Sequence, residues 1–594
     1  MKISKGISKN LCLIKDFVRL SLTKLYCKSV SEKFSLRHAQ ADKVFRDAHN
    51  KIILACCLII INMACSKDKL KEDSAGVLTA DLLFTSKAGF ENALNGLHDE
   101  VRRYHSGNEY NTINGAMSIQ AVIGVDNAYG NWRDPSTDIY NLWKTLNNPS
   151  VGQYRLVWAW LYETINAANT IIERSKNTSI NWTDSDKNRI LAEARCIRAW
   201  CYRHLTYLWG DVPLTLEESR GDNIRTDWQR TPVAEVRKAM EDDLLFASQN
   251  LPDVSGSDLR MIKGVAQHFL AELYLSTGEY AKAKAEATKV TSNTNYRLVT
   301  QRYGVNRALP GTAFTDMFIE GNSKRSQGNT EALWVIQNEL AVVGGEGNNL
   351  MRRMWVNRYY SLAVGGKNPI AISADNGGRG IGRFSPTTWA LSIYTPTDDR
   401  GSIYAFRYYY LINNPTGIPS GTNPRTGVAY KFGDTIFLDK TSTEKLTNPN
   451  WPSTRKWDYA QTGPGLELID RQYNDQILVR SGETYLLLAE ANFRLGDLQG
   501  AADAINALRT RARTTAVTSA QVSLDLILDE RSRELFAEED RRYTLLRTGK
   551  WFDRTKLYNK IAAPNVALRD TLLPIPQDVI DANRTSPMTQ NPGY

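Results

Sequence analysis

Apolar residues recur at helical spacing in two widely separated stretches, and the two read as copies of one unit. Within 485–510, Leu488, Ala491, Asn492 and Leu495 fall three or four apart, on one side of a helix. Gly496-Asp497 breaks the period, and Ala501, Ala502, Ile505 and Leu508 then line a second helix. Small side chains at Ala489, Ala501, Ala502 and Ala504 let two axes approach closely, which predicts an antiparallel helix pair. The stretch 271–290 aligns with 489–508 in constant register: Gly278 against Gly496, Ala283 against Ala501, Ala287 against Ile505. Such pairs cannot bury their apolar face alone and need stacked neighbours, so tetratricopeptide-like units are expected.

The same period predicts further helices. Ser86 is placed to cap one carrying Phe90, Leu94, Leu97 and Val101. Another covers 154–172. Thr183 or Asp184 starts a long helix with Ile190, Ala194, Ile197, Cys201, Leu205 and Leu208 on one stripe, stopped by Gly210 and led out by Asp211-Val212-Pro213. Thr231-Pro232 reads as a cap followed by a first-turn proline, opening a helix through Val236, Met240 and Leu244. From about Gln301 to Tyr473 the period is lost in Gly-, Asn-, Pro-, Ser- and Thr-rich sequence with scattered aromatics and short strand-like runs such as 332–336. A stretch so long is expected to be packed rather than free. Helices resume at Gln476 and close with 523–546. The expected architecture is mostly α: a helical part 86–300, an irregular, loop-rich and aromatic-rich subdomain 301–475, and a C-terminal helical part 476–594.

The first 65 residues differ in kind. Lys51 precedes about ten apolar residues, 52–61, and then Asn62-Met63-Ala64-Cys65. A positive flank, a short apolar run and a small residue before a cleavage point are the layout of a secretory signal, and the run is too short for a transmembrane helix. The small residue before Cys65, followed by polar Ser66-Lys67-Asp68-Lys69, has the form of a bacterial lipoprotein box, with Asn62 where an aliphatic residue is usual. The thiol of Cys65 would carry the lipid. Residues 1–50 are then an abnormally long leader or a stretch upstream of the true start, and 66–85 a polar tether away from the membrane.

Charge and cysteine follow the same division. The net charge of +10 invites a nucleic-acid reading, but residues 1–65 hold 12 of the 74 basic and 4 of the 64 acidic side chains, leaving 62 against 60. The body is nearly neutral, and no nucleic-acid partner is expected. Beyond Cys65 only Cys196 and Cys201 remain, five apart on a predicted helix, suited to burial as small apolar residues rather than to a disulfide.

Catalytic patterns are scarce. No GxSxG, HExxH, GxxxxGK[ST] or paired CxxC occurs. Gly377, Gly378, Gly380 and Gly382 lack nucleotide-loop spacing and read as a mobile or tightly turned surface loop. His98, His105, His204 and His268 are scattered, so neither a metal nor a cofactor is expected. Glu530, Glu534 and Glu538 share a helix face but are interleaved with Arg531, Arg533, Arg541 and Arg542, which favours a structural ion-pair network over catalytic carboxylates. The aromatic subdomain is the better candidate for chemistry: flat rings offer faces to sugar rings or peptide side chains, and Asn, Asp and Arg bond hydroxyls or carboxylates. The candidate ligand-binding residues are Trp132 and Arg133, the group Trp355, Tyr359 and Tyr360, and Trp389. The competing reading makes these aromatics the core of a subdomain poor in Leu and Ile.

Four stretches together, 92–103 (NALNGLHDEVRR), 192–214 (AEARCIRAWCYRHLTYLWGDVPL), 530–551 (ERSRELFAEEDRRYTLLRTGKW) and 572–594 (LLPIPQDVIDANRTSPMTQNPGY), resemble the starch-utilisation-system D proteins, the RagB/SusD nutrient-uptake family of Bacteroidetes. The resemblance covers the chain from Cys65 to Tyr594. It implies a SusD-like fold, lipid-anchored through Cys65 at the outer-membrane surface, with tetratricopeptide-like units supporting an irregular ligand-binding part. It also implies a non-enzymatic captor that delivers a nutrient, a glycan before a peptide, to a TonB-dependent SusC-like barrel. A surface glycoside hydrolase would instead need two carboxylates facing each other across the aromatic cleft about 5–9 Å apart. A purely structural tetratricopeptide scaffold would show no exposed aromatic platform.

Overall fold

The computed structural model describes residues 80–594, apart from 106–120, 134, 341, 343–348 and 460–464. The leader, Cys65 and the tether as far as residue 79 lie outside the described residues. A short helix, Ala80–Leu83, already occupies the end of the span expected to be tether, and Asp81 pairs with Arg174.

The principal helices are α1 (Lys87–Arg102), α2 (Gly152–Arg174), α3 (Asp184–Trp209), α4 (Val233–Asn250), α5 (Lys263–Thr277), α6 (Tyr280–Thr291), α7 (Ser481–Arg494), α8 (Leu498–Arg511), α9 (Leu524–Leu535), α10 (Arg541–Arg547) and α11 (Trp551–Tyr558). From α2 to α8 each packs against the next, and α6 lies on α7 although residues 292–480 separate them. The two predicted hairpins, α5–α6 and α7–α8, therefore stack directly. Their turns share one backbone geometry, with Gly278 and Gly496 both at φ 79°, a left-handed conformation in which a side chain would be strained. Ala283, Ala287, Ala501 and Ile505, equivalent by register, are all fully buried. Across the seam Lys284 pairs with Asp497 (2.8 Å), the Tyr485 hydroxyl donates to the Thr291 carbonyl (3.1 Å), and the His268 ring bonds Thr484 (2.8 Å).

Local signals set most helix ends. Ser86 accepts from the Gly89 amide (3.2 Å) and Thr183 from the Asp186 amide (3.1 Å), and Gly210 closes α3 at φ 74°. The α3 stripe is buried as expected, and the opposite face is buried too, because α1, α2 and α4 surround it. Its polar residues are consequently partnered: Glu193 with His98 (2.8 Å), Arg198 with Asp243 (2.7 Å), Arg203 with Glu272 (2.6 Å) and Asp540 (2.7 Å). Cys196 and Cys201 are buried free thiols, and burial pushes their pKa well up.

Three expectations are corrected by contacts distant in sequence. Thr231 does not cap α4, because it forms an antiparallel bridge with Val212. The Asp211 carboxylate accepts from the Val233 amide instead (2.8 Å). Helix does not resume at Gln476: Gln476–Arg480 is a strand paired with Ala332–Ile336, the run that the sequence marks as strand-like. The helix expected over 523–546 breaks after Leu535. There Ala537 takes φ 65°, Lys456 donates to the Glu534 and Phe536 carbonyls (3.0 Å each), and the Trp457 indole donates to Ala537 (3.1 Å).

Eight short strands among the described residues pair as four antiparallel ladders: β1 (Ala128–Gly130) with β3 (Phe384–Pro386), β2 (Ala332–Ile336) with β8 (Gln476–Arg480), β4 (Phe406–Arg407) with β7 (Ser453–Thr454), and β5 (Tyr409–Leu411) with β6 (Thr435–Phe437). One apolar core runs from Phe90 and Trp200 to Trp334, Trp355 and Trp457, so the irregular part shares its interior with the helices. A smaller cluster, including Val356, Tyr359, Tyr410 and Ile436, belongs to the irregular part alone.

The glutamate ladder of α9 is a buried ion-pair network. Glu534 accepts from Arg480 (2.6 Å), Arg400 (3.2 Å) and Arg511, and Glu530 faces Arg400, Arg509 and Arg533 (2.8 Å each). Arg531 and Arg541 serve Glu539 instead (2.7 and 2.9 Å), and Arg542 donates to the Asp570 and Thr571 carbonyls. Burial by itself would raise the Glu534 pKa, but Arg511, Arg480 and Arg400 outweigh it and hold the carboxylate far below its usual range. The same contest at Glu272, decided by Arg203, lowers it from 4.5 to about 2. Burial also depresses His105, from 6.5 to about 4, and His204 and His268. All of these groups bind protons more readily unfolded, so each contributes stability that is lost as pH falls. The thermal midpoint of the purified protein is expected to decline below about pH 6.5 as the histidines resist protonation, then more steeply between about 4.5 and 2. A midpoint unchanged at about pH 3 would contradict this assignment.

Candidate functional site

Trp132 is half-buried at the end of a chain of anchors. Asp126, fully buried, accepts from Arg541 (2.7 and 2.8 Å) and Arg554 (2.8 Å). Burial by itself would raise its pKa, and the two guanidinium groups override that and lower it. The Asn127 side chain donates to Ser532 (3.1 Å), and β1 then pairs with β3. The Asn131 amide donates to the Arg383 carbonyl (2.7 Å), and its side chain donates to the carbonyls of Gly382 (3.2 Å) and Asn448 (3.0 Å). Its own carbonyl accepts from the Thr447 amide (2.6 Å), and the Thr137 hydroxyl donates to the Trp132 carbonyl (2.8 Å). The backbone on both sides of the indole is thus fixed by separate segments.

The facing wall is the segment 355–360, packed on the glycine-rich loop. A Cβ at Gly380 would lie 2.1 Å from the Val356 carbonyl oxygen, and Gly382, at φ +70°, lies directly beside the Asn357–Arg358 backbone. These glycines are therefore a tightly packed turn, required for close backbone approach. The packing decides which side chains face in. Trp355, 1% exposed, stands edge-on to Phe384 and Phe536 (5.3 and 5.2 Å). Tyr359, 0% exposed, stacks on Tyr410 (4.5 Å) and donates to the Gly378 carbonyl (2.8 Å). Both were expected to offer ring faces to a ligand, and both are core, because in a region poor in aliphatic residues the aromatics fill the interior. Trp389 is half-buried, with its ring against Tyr558 (4.3 Å) and the Arg554 guanidinium 4.9 Å away.

Trp132 and Tyr360, distant in sequence, are brought together by a residue that the aromatic pattern does not reveal. The Arg358 guanidinium lies 5.3 Å from the Trp132 ring centre and 5.7 Å from that of Tyr360, and the Arg383 guanidinium lies 5.2 Å from Trp132. Each is close enough for cation–π attraction. Arg133 is exposed and pairs with Asp138 (3.1 Å), at the lip of a recess of about 610 Å³ also lined by Ile139, Leu146 and Asn148. The arginines left one trace in the sequence: residues 351–383 hold six basic side chains against the single acid Asp375.

The arrangement is one of binding groups: an indole, a phenol, and guanidinium donors held by aromatic contact. Among the described residues, Asp138 is the only carboxylate hydrogen-bonded or ion-paired with Trp132, Arg133, Arg358 or Tyr360. Among the described residues no three His, Cys, Asp or Glu side chains converge as metal ligands.

Comparison with known proteins agrees with the architecture. Residues 330–594 match the model of the SusD family, and residues 70–275 match that described as starch-binding associating with outer membrane. The SusD-like protein P2 of Formosa agariphila is 25% identical over 566 residues, covering 90% of this chain and 98% of that protein. Among solved structures, a laminarin binding SusD-like protein superposes with a TM-score of 0.62 at 20% identity, over 85% of this chain and 99% of its own. Surface glycan-binding protein A from Bacteroides thetaiotaomicron, in complex with laminarihexaose, superposes with a TM-score of 0.63 at 19% identity, over 85% and 100%. Matched in both its N-terminal and C-terminal parts, and sharing a mostly helical fold with these proteins, the chain belongs to the SusD family.

Proposed function

We propose that this protein captures an extracellular glycan at the outer-membrane surface, does not cleave it, and hands it to a TonB-dependent, SusC-like barrel. The observation that carries the reading is the Trp132–Arg358–Tyr360 cluster, an aromatic site with hydrogen-bond donors and one ion-paired carboxylate, on a rigidly anchored backbone. One structural neighbour described as laminarin binding, and another in complex with laminarihexaose, support a glycan before a peptide. Attachment in this reading is through lipid on Cys65, and no helix of the described residues is long and apolar enough to cross a membrane.

Calorimetric titration of the purified protein with glycan pools and peptide digests tests it. A glycan pool is expected to bind saturably and be recovered intact. Trp132→Ala should weaken binding about 30-fold or more, the usual cost of removing a central aromatic anchor, while Trp389→Ala leaves it within about twofold. Shortened products would favour the hydrolase, and binding confined to the peptide pool would replace the ligand class.

A further inference from the structure

Resting on that reading, the geometry points to an acidic glycan: the Trp132–Arg358 site is built for a saccharide bearing carboxylate or sulfate groups. Charge distribution is the first observation. Residues 351–383 hold six basic side chains and one acid, whereas the rest of the chain after Cys65 holds 56 basic against 59 acidic, so the positive excess is concentrated in the segment that supplies Arg358 and Arg383 to the site.

The second observation is what those charges meet. Arg353 pairs with Asp470, but Arg352 is buried and spends its donors on the backbone carbonyls of Tyr459 (3.2 Å), Ile469 and Arg471. Arg358 forms no ion pair with a described residue. Its Nε and the Tyr360 hydroxyl are both shielded from solvent and have no protein hydrogen-bond partner, while the guanidinium is held between the Trp132 and Tyr360 rings. Arg133, next to Trp132 in the chain, lines a separate recess and is paired with Asp138. A site for neutral sugars needs donors and acceptors in similar number. This one offers the Arg358 donors, a phenol that can donate or accept, and a cation whose charge no described carboxylate answers.

The third step is chemical. A guanidinium presents parallel N–H groups that match two oxygens of a carboxylate or sulfate, and stacking on an aromatic ring fixes the fork in advance. Arg358 is partly buried and lacks a described counter-charge, so an anionic ligand gains both the hydrogen bonds and the charge pairing. A neutral sugar gains only the first.

The test titrates the full-length protein with uronate hexasaccharides, sulfated hexasaccharides and neutral hexasaccharides of matched length. At least one acidic series is expected to bind about tenfold or more tighter than the neutral one, with affinity falling several-fold between about 50 and 300 mM NaCl. Arg358→Gln should abolish most of the acidic preference and Arg358→Lys should keep part of it, both with an unchanged thermal midpoint. The two acidic arms decide between carboxylate and sulfate. Neutral binding that is equally tight, insensitive to salt and to Arg358→Gln, yet lost in Trp132→Ala, would overturn the acidic assignment and leave glycan capture standing. Failure of all three series to bind would overturn both.

Discussion

Glu534→Ala is expected to lower the unfolding free energy by about 3–5 kcal/mol, the range for breaking one partner out of a buried charge network. The reason lies in what is left behind. Glu534 is fully buried and accepts from Arg480, Arg400 and Arg511, which reach it from β8, the irregular part and α8. Without it, three buried guanidinium groups compete for Glu331, Glu530, Glu538 and Asp398. Glu534→Gln keeps the shape and should fall between wild type and alanine. Urea unfolding checks this, with Lys238→Ala, which removes an exposed helix pair, as a control expected to leave the transition close to that of the wild type. A Glu534→Ala loss no larger than that control would mean that the network is far better solvated than its geometry implies.

Asp126→Ala should cost a similar amount, about 3–5 kcal/mol, and should also weaken ligand binding. Asp126 neutralises Arg541 and Arg554 together, and it lies six residues before Trp132, at the root of the backbone that carries it. Releasing the root loosens the indole against Arg358. The two effects are separable: Glu534→Ala measured well below its unfolding transition should bind normally, whereas Asp126→Ala in the same conditions should not. Equal affinity for the two variants would show that the β1–β3 ladder and Asn131 position Trp132 without Asp126.

Why some of this was legible in the sequence and some was not follows from where each determinant lies. Helix hairpins have local causes, so the register of Gly278 with Gly496 and of Ala283 with Ala501 transfers directly to buried positions and matching turns. The break at Ala537 does not, because its cause is Lys456 and Trp457, some eighty residues earlier. The four stretches that carry the family resemblance meet in space. The Trp209 indole donates to the Pro574 carbonyl (2.9 Å), Asn591 donates to the Trp209 and Leu573 carbonyls (3.0 and 2.7 Å), Asp540 accepts from Arg203 (2.7 Å), and the His98 ring bonds Glu193 (2.8 Å). These stretches hold the scaffold together, which is why they identify a fold and leave the ligand open. At the site, Trp132 stands out as an aromatic beside an arginine in a polar loop. Sorting Trp355 and Tyr359 inward from Arg358 and Tyr360 required the backbone contact with Gly380 and Gly382, which no spacing rule encodes.

The contact of α6 with α7 separates two things that a chain usually ties together: the length of a connection and the price of making it. Closing a loop costs an entropy that grows only with the logarithm of its length, roughly 0.6 kcal/mol for each doubling. Residues 292–480 already span the two neighbouring helices, so a further dozen residues at an exposed turn of that excursion add a small fraction of this. The hairpins on either side keep their register because the packing of α6 on α7 and the bonds across that seam, not the connection, align them. Recognition in this architecture is therefore free to change in size and sequence at the turns, at less thermodynamic cost than a single substitution in the network around Glu534.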